Sequence, residues 1–273
     1  MQLVFKHKTL SLSTPAVMGI LNVTPDSFYD GGKYGDEKSI LLQAEKMLSE
    51  GAAIIDIGAC STRPGAPEIP EEEELNRLIS ALKLVRKKFP DAVISVDTFR
   101  SRVAHQAVNE SADMVNDVSG GTMDERMFET VGKLRVPYVL THIKGNPQTM
   151  QNNPEYKDVV KEVEYFIGDK INALRKTGTN QIIVDVGFGF GKTLEHNYSL
   201  LKHFGEFKEF GLPLLAGISR KGMVCKALGI KPERSLNGTT TANTIALMNG
   251  ANILRVHDVK EAKEAIKIFN FAK

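Results

Sequence analysis

Eight short apolar runs, most of them rich in β-branched residues, alternate along this chain with longer segments of helical periodicity. Apolar runs too short for helices read as strands covered on both faces, the pattern of a parallel sheet. Eight strand–helix units in 273 residues predict an α/β fold, a (β/α)8 TIM barrel. The competing arrangement, a doubly wound open sheet, would be favoured by a glycine-rich dinucleotide fingerprint after the first run, and the sequence has none there. No repeat, linker or low-complexity tract interrupts the alternation, so residues 1–273 are expected to form a single domain.

Taken in order, residues 1–14 alternate weakly and predict a short N-terminal hairpin capping the barrel bottom. The strand candidates are residues 17–23, 52–57, 93–96, 114–115, 136–140, 182–186, 214–218 and 253–256. Between them, residues 39–50 place Ile40, Ala44, Met47 and Leu48 on one side of a helix. Residues 71–89 do the same with Leu75, Leu78, Ile79, Leu82 and Val85, and residues 158–177 with Val159, Val163, Phe166 and Leu174. The stretch between Arg234 and Arg255 has no charge, but its Asn and Thr residues make it too polar for lipid, and it predicts a helix followed by a strand.

Composition narrows the function. With 35 Lys+Arg against 33 Asp+Glu, the net charge is +2, far from the basic excess of a chain that holds nucleic acid by bulk charge. A hydrophobic content of 42% rules out disorder. Cys60 and Cys225 form neither a CxxC pair nor a metal spacing, so no disulfide framework is expected. The first ten residues lack the basic start and apolar core of a signal peptide, and the expected compartment is the cytoplasm.

In a barrel, residues at the C-terminal ends of the strands converge on one rim. Here those ends supply Asn22, Asp56, Asp97, Asn116 with Asp117, His142, Asp185, then Ser219, Arg220 and Lys221, and last Arg255, His257 and Asp258. A single Asp after a strand is ordinarily a turn former or helix cap, and Asp117 and Asp258 suit that role. The coincidence over eight strands suits a site. Arg255 and His257 lie two apart and point the same way; with Arg63 they can hold a phosphate or pyrophosphate. Asp97, Asn116, Asp185 and Lys221 suit a flat heterocycle with adjacent N–H donors, such as a 2-amino-4-oxo pyrimidine edge. A divalent metal is the rival use of the carboxylates, but a lone His142 without HxH or HExxH spacing does not make a zinc cage. Phe28 and Phe190 offer an apolar aromatic wall, or else simple packing. The long loops after the first two strands should cover the rim.

At these residues the chain resembles the dihydropteroate synthase family. The motifs are MGILNVTPDSFYDGG (18–32), DIGACSTRPGA (56–66), SVDTFR (95–100), VNDVSG (115–120), DVGFGFGKT (185–193), GISRKG (217–222) and LRVHDV (254–259), in family order over nearly the whole chain. The resemblance implies an enzyme that joins p-aminobenzoate to 6-hydroxymethyl-7,8-dihydropterin diphosphate, releasing pyrophosphate. It implies that Asp97, Asn116, Asp185 and Lys221 bind the pterin, and that Asn22, Thr62, Arg63, Arg255 and His257 hold the diphosphate, with Mg2+ at Asn22. It further implies a p-aminobenzoate pocket of Phe28, Thr62, Pro64, Phe190 and Ser219, and a homodimer packed through barrel helices. Asp30, Arg63, Lys221, Arg255 and His257 would act in catalysis, Asp30 beside a transient methylene cation left by departing pyrophosphate.

Two departures from the family pattern stand out. Thr141-His142-Ile143 replaces the usual Met-His-Met, and Val186 replaces the usual Pro. Neither removes a charged or amide group named above. A pterin-dependent methyltransferase and an inactive pterin-binding homologue are the alternatives. The diphosphate residues and the first two loops weigh against the former, and the intact charged set against the latter.

Overall fold

The computed structural model describes residues 1–23, 33–60, 69–146, 148–150 and 154–272. Eight parallel strands close into a barrel in the order β10-β3-β4-β5-β6-β7-β8-β9. They are β3 (Ala16–Asn22), β4 (Ile54–Gly58), β5 (Ile94–Asp97), β6 (Met114–Asp117), β7 (Tyr138–Thr141), β8 (Ile182–Asp185), β9 (Leu214–Ala216) and β10 (Ile253–Val256). The predicted runs sit on these strands, shifted by a residue or two. The seventh run, at 214–218, ends early because the chain turns at Ile218, whose carbonyl accepts from Lys221 N at 3.1 Å.

The outer layer is helical: α1 (Lys33–Ser49), α2 (Glu71–Lys88), α3 (Ser101–Asn109), α4 (Met127–Leu134), α5 (Val159–Lys176), α6 (Leu194–Lys202), α7 (Gly222–Leu228), α8 (Leu236–Met248) and α9 (Val259–Ala272). Local chemistry sets their ends. Helix α2 opens on Glu71–Glu74 and closes on Arg86, Lys87 and Lys88, so both ends complement the helix dipole. Asp158 caps α5 by accepting from Val160 N and Lys161 N. Thr193 and His196 cap α6 reciprocally. Helix α1 starts six residues before the predicted 39, because its first turns are polar and carry no apolar period. The uncharged 234–255 stretch forms α8 and β10 as expected, and among the described residues no helix is long and apolar enough to cross a membrane.

The predicted hairpin forms from β1 (Gln2–Val4) and β2 (Thr9–Ser11), paired antiparallel with Leu3 opposite Leu10. Its Leu3 and Phe5, with Leu12 just beyond, pack on Met18, Ile54, Val93, Met114, Val139, Ile183, Leu215 and Ile253. These are inward residues at the N-terminal ends of the strands, so the hairpin seals the barrel floor. Gln181, just before β8, clips it in place: its Oε1 accepts from Val4 N at 2.7 Å and its Nε2 donates to Val4 O at 2.9 Å.

Candidate active site

Strand alternation turns the floor into a ruler for the mouth. In β4 the floor residue is Ile54, while Ile55 and Ile57 pack outward against the helices. Two residues further along the inward face comes Asp56. The same step from Val93, Met114, Val139, Ile183 and Ile253 reaches Ser95, Asn116, Thr141, Asp185 and Arg255. The barrel is therefore apolar below and polar above, one residue pair apart. Strand register brings the next level together: Asn22 lies opposite Gly58, Gly58 opposite Asp97, and Asp97 opposite Asn116.

Arg255 organises this layer. Its Nε donates to Asp56 Oδ2 at 2.6 Å and its Nη2 to Asp97 Oδ2 at 2.5 Å. Asn116 Nδ2 donates to the same Asp56 oxygen at 2.9 Å, while Asp56 Oδ1 is buried without a hydrogen-bond partner among the described residues. Burial works against the Arg255 charge, but Asp56 and Asp97 outweigh it and hold the guanidinium above its ordinary pKa. Burial pushes the Asp97 carboxyl up to about 7, with Arg255 opposing and Asp56 adding to the rise.

Across the mouth, Asp185 and Lys221 face Gly217, where a Cβ would stand 3.6 Å from both Asp185 Oδ2 and Lys221 Nζ. Burial pulls Lys221 down to about 8 against the pull of Asp185, and pushes Asp185 up against Lys221. Lys221 Nζ donates to Phe188 O at 2.6 Å and lies 4.5 Å from the centre of the Phe190 ring. Phe190 joins Phe99, Val118, Ile143 and Met150 in a small apolar cluster above the strand ends. At the rim, His257 N donates to Ser219 Oγ at 3.2 Å, and that oxygen also lies 3.2 Å from His257 Nδ1.

The sequence-predicted residues Asp97, Asn116, Asp185, Lys221, Arg255, His257, Ser219, Phe190 and Asn22 thus all stand at one end of the barrel. Phe28, Asp30, Thr62, Arg63 and Pro64 lie outside the described residues. Asp117 takes the turn-forming role expected of it, whereas Asp258, expected as a turn former or cap, forms an ion pair instead. The former accepts from Ser119 N, Gly121 N and the Tyr138 hydroxyl; the latter pairs with Arg220 through two contacts of 2.7 and 2.9 Å. Donors and acceptors set round a deep polar layer, with cations beside them, suit a ligand that is part flat heterocycle and part oxyanion.

Comparison with known proteins decides the family. A pterin binding enzyme family model matches residues 18–257. The dihydropteroate synthase of Haemophilus influenzae is 43% identical over 271 residues, covering 98% of each chain. A crystal structure of the Yersinia pestis dihydropteroate synthase in complex with a sulfonamide drug superposes with a TM-score of 0.94 at 42% identity, covering 100% of this chain and 99% of that one. That of Xanthomonas albilineans with 4-aminobenzoic acid gives 0.93 at 38%, covering 99% and 97%. The chain belongs to the dihydropteroate synthase family of pterin-binding enzymes. Within the family frame, its departures are accommodated. Ile143 keeps the apolar wall beside Phe190, Val186 is buried in the main core, and Thr141 is buried with its hydroxyl unpartnered among the described residues.

Two residues of this dihydropteroate synthase-family site had no role assigned from sequence. Asp56 was legible only as a strand end; its partner Arg255 is 199 residues away. Lys192 sits in the glycine-rich loop after β8, buried and bonded to His142 Nδ1 at 2.8 Å, and no local pattern marks it.

Proposed function

We propose that the chain is a transferase condensing 6-hydroxymethyl-7,8-dihydropterin diphosphate with p-aminobenzoate to give 7,8-dihydropteroate and pyrophosphate. The observation that carries this reading is the Asp56–Arg255–Asp97 cluster: one guanidinium joins the layer of ring acceptors to the strand that His257 follows. Asp97, Asn116 and Asp185 accept from and donate to the pterin edge, while Lys221 meets its carbonyl and ring nitrogen. Arg255 and His257, with Arg63, hold the diphosphate. Thr62 adds a donor there, and Phe28, Thr62, Pro64, Phe190 and Ser219 form the p-aminobenzoate pocket.

In the reaction the bond between the exocyclic carbon and the diphosphate oxygen breaks, and its electron pair leaves with pyrophosphate. Cations placed where that negative charge grows lower the barrier. The electron-rich ring carries the methylene cation, with Asp30 beside it. The p-aminobenzoate nitrogen then bonds to the carbon and loses a proton. Holding both reactants in one mouth makes the second step effectively unimolecular.

The residues present fit a Mg2+ carried on the diphosphate. Gly58 has no side chain, and a Cβ there would stand 3.5 Å from Asn22 Oδ1, so the space beside that hard oxygen is not filled by a side chain of Gly58. Mg2+ takes few protein ligands and keeps waters and phosphate oxygens, and Asn22 would be its protein ligand. Bound there, the ion supplies positive charge to the leaving group. We further assign a single barrel domain, a cytoplasmic location, and a homodimer packed through barrel helices. Exposed Leu228 on α7 with Ile245 and Met248 on α8 support the last. The test is direct: purified protein with the pterin diphosphate, p-aminobenzoate and Mg2+ should form dihydropteroate with p-aminobenzoate-dependent release of pyrophosphate. No p-aminobenzoate-dependent release would overturn the reading.

A further inference from the structure

Lys192 carries an amine to a place that water does not reach, the residue being 3% exposed, and burial pulls it well below the ordinary lysine pKa against the pull of Asp185. Taking such a group out of water is costly unless its donors are all matched. Its Nζ lies 2.8 Å from His142 Nδ1, 2.9 Å from Gly187 O and 3.0 Å from Phe190 O. All its polar partners thus lie within hydrogen-bond distance. Burial, reinforced by Lys192, holds His142 well below its ordinary pKa, so the ring is neutral and Nδ1 shares one hydrogen bond with Lys192 Nζ.

These contacts join two segments. Gly187 and Phe190 belong to the loop between β8 and α6, and His142 follows β7. The segments are pressed together: a Cβ on Gly187 would overlap the His142 carbonyl oxygen, and one on Gly191 the Lys144 carbonyl oxygen. The Tyr156 hydroxyl adds a bond to Gly191 O at 2.8 Å. On its other side the same loop presents Phe190 and the Phe188 carbonyl to Lys221.

We propose that Lys192 is a positioning residue: it draws the carbonyls of Gly187 and Phe190 and the ring of His142 onto one buried point, and so fixes the Phe190 ring as a wall of the acceptor pocket. The proposal rests on the reading of Phe190 as part of the p-aminobenzoate pocket. An apolar side chain of similar size would fill the volume but leave the direction of both carbonyls undetermined.

The experiment compares wild type, Lys192→Met and Phe190→Ala in steady-state kinetics with Mg2+ present, alongside 15N NMR of the histidine rings. Misplacing a wall by a fraction of an ångström should raise the KM for p-aminobenzoate about tenfold in both variants, with kcat and the KM for the pterin diphosphate changed less than about threefold. The His142 Nδ1 resonance should shift in Lys192→Met. His142→Phe keeps both carbonyl bonds, and should show a smaller rise in the same KM; it serves if Lys192→Met does not fold. A raised KM in Phe190→Ala with a wild-type KM in Lys192→Met overturns the proposal. So does a fall in kcat with comparable rises in both KM values, which marks general loosening. A wild-type KM in Phe190→Ala overturns the reading of Phe190 and the proposal with it. Absence of turnover in the wild type would instead sink the function of the site as a whole.

Discussion

Arg255 Nη2 lies 2.5 Å from Asp97 Oδ2, so a cation assigned to the diphosphate is bonded to a carboxylate assigned to the ring. Removing the guanidinium leaves Asp56 and Asp97 buried together without compensation. Arg255→Met should therefore destabilise the fold by about 3 kcal/mol or more in urea titration. Adding Asp56→Asn should recover part of that loss without restoring turnover; a double variant no more stable than the single one would show that the pair does not act as a unit.

The pH profile follows from the same cluster. Asp97 must be a carboxylate to accept from the pterin, which holds above about 7, and Lys221 must be an ammonium, which holds below about 8. The kcat/KM for the pterin diphosphate should be bell-shaped, rising through the former value and falling through the latter, both being properties of the coupled cluster. Asp97→Asn should abolish the acid limb in what activity remains.

Asp185 is buried opposite Lys221, and as a carboxylate it offers acceptors only. Asp185→Asn swaps one acceptor for a donor and should weaken pterin binding by about 2–3 kcal/mol, roughly 30- to 150-fold, by titration calorimetry. Wild-type affinity in that variant would remove Asp185 from ring recognition.

Gly58→Ala tests the Mg2+ site at Asn22. Its Cβ would make ordinary contacts, the nearest being Asp97 Cβ at 3.4 Å, so the fold should survive with little change in Tm. The Mg2+ concentration needed for half-maximal turnover should rise about tenfold, since the added methyl crowds Asn22. An unchanged requirement would move the ion elsewhere.

Floor and mouth should separate cleanly under mutation. Phe5 is buried in the floor cluster, and Phe5→Ala should cost about 3 kcal/mol of stability while leaving kcat/KM at 25 °C within about twofold.

Much of this was legible in the chain because barrel strands are apolar on both faces until their last inward residue. That is why Asn116, Asp185 and Arg255 announced themselves as the ends of runs. The division into a ring half and a phosphate half was legible too, but the structure joins the halves at Arg255, a contact between strands at opposite ends of the sequence. Sequence patterns report neighbours within a few residues, and nothing near Asp56 or Lys192 hints at Arg255 or His142. The start of α1 stayed hidden for a different reason: its first turns have no apolar side to count.

With Leu3, Phe5 and Leu12 stoppering the lower end of the strands, the polar layer faces the opposite end. Ring and oxyanion therefore share one approach, and the floor can be altered without touching either.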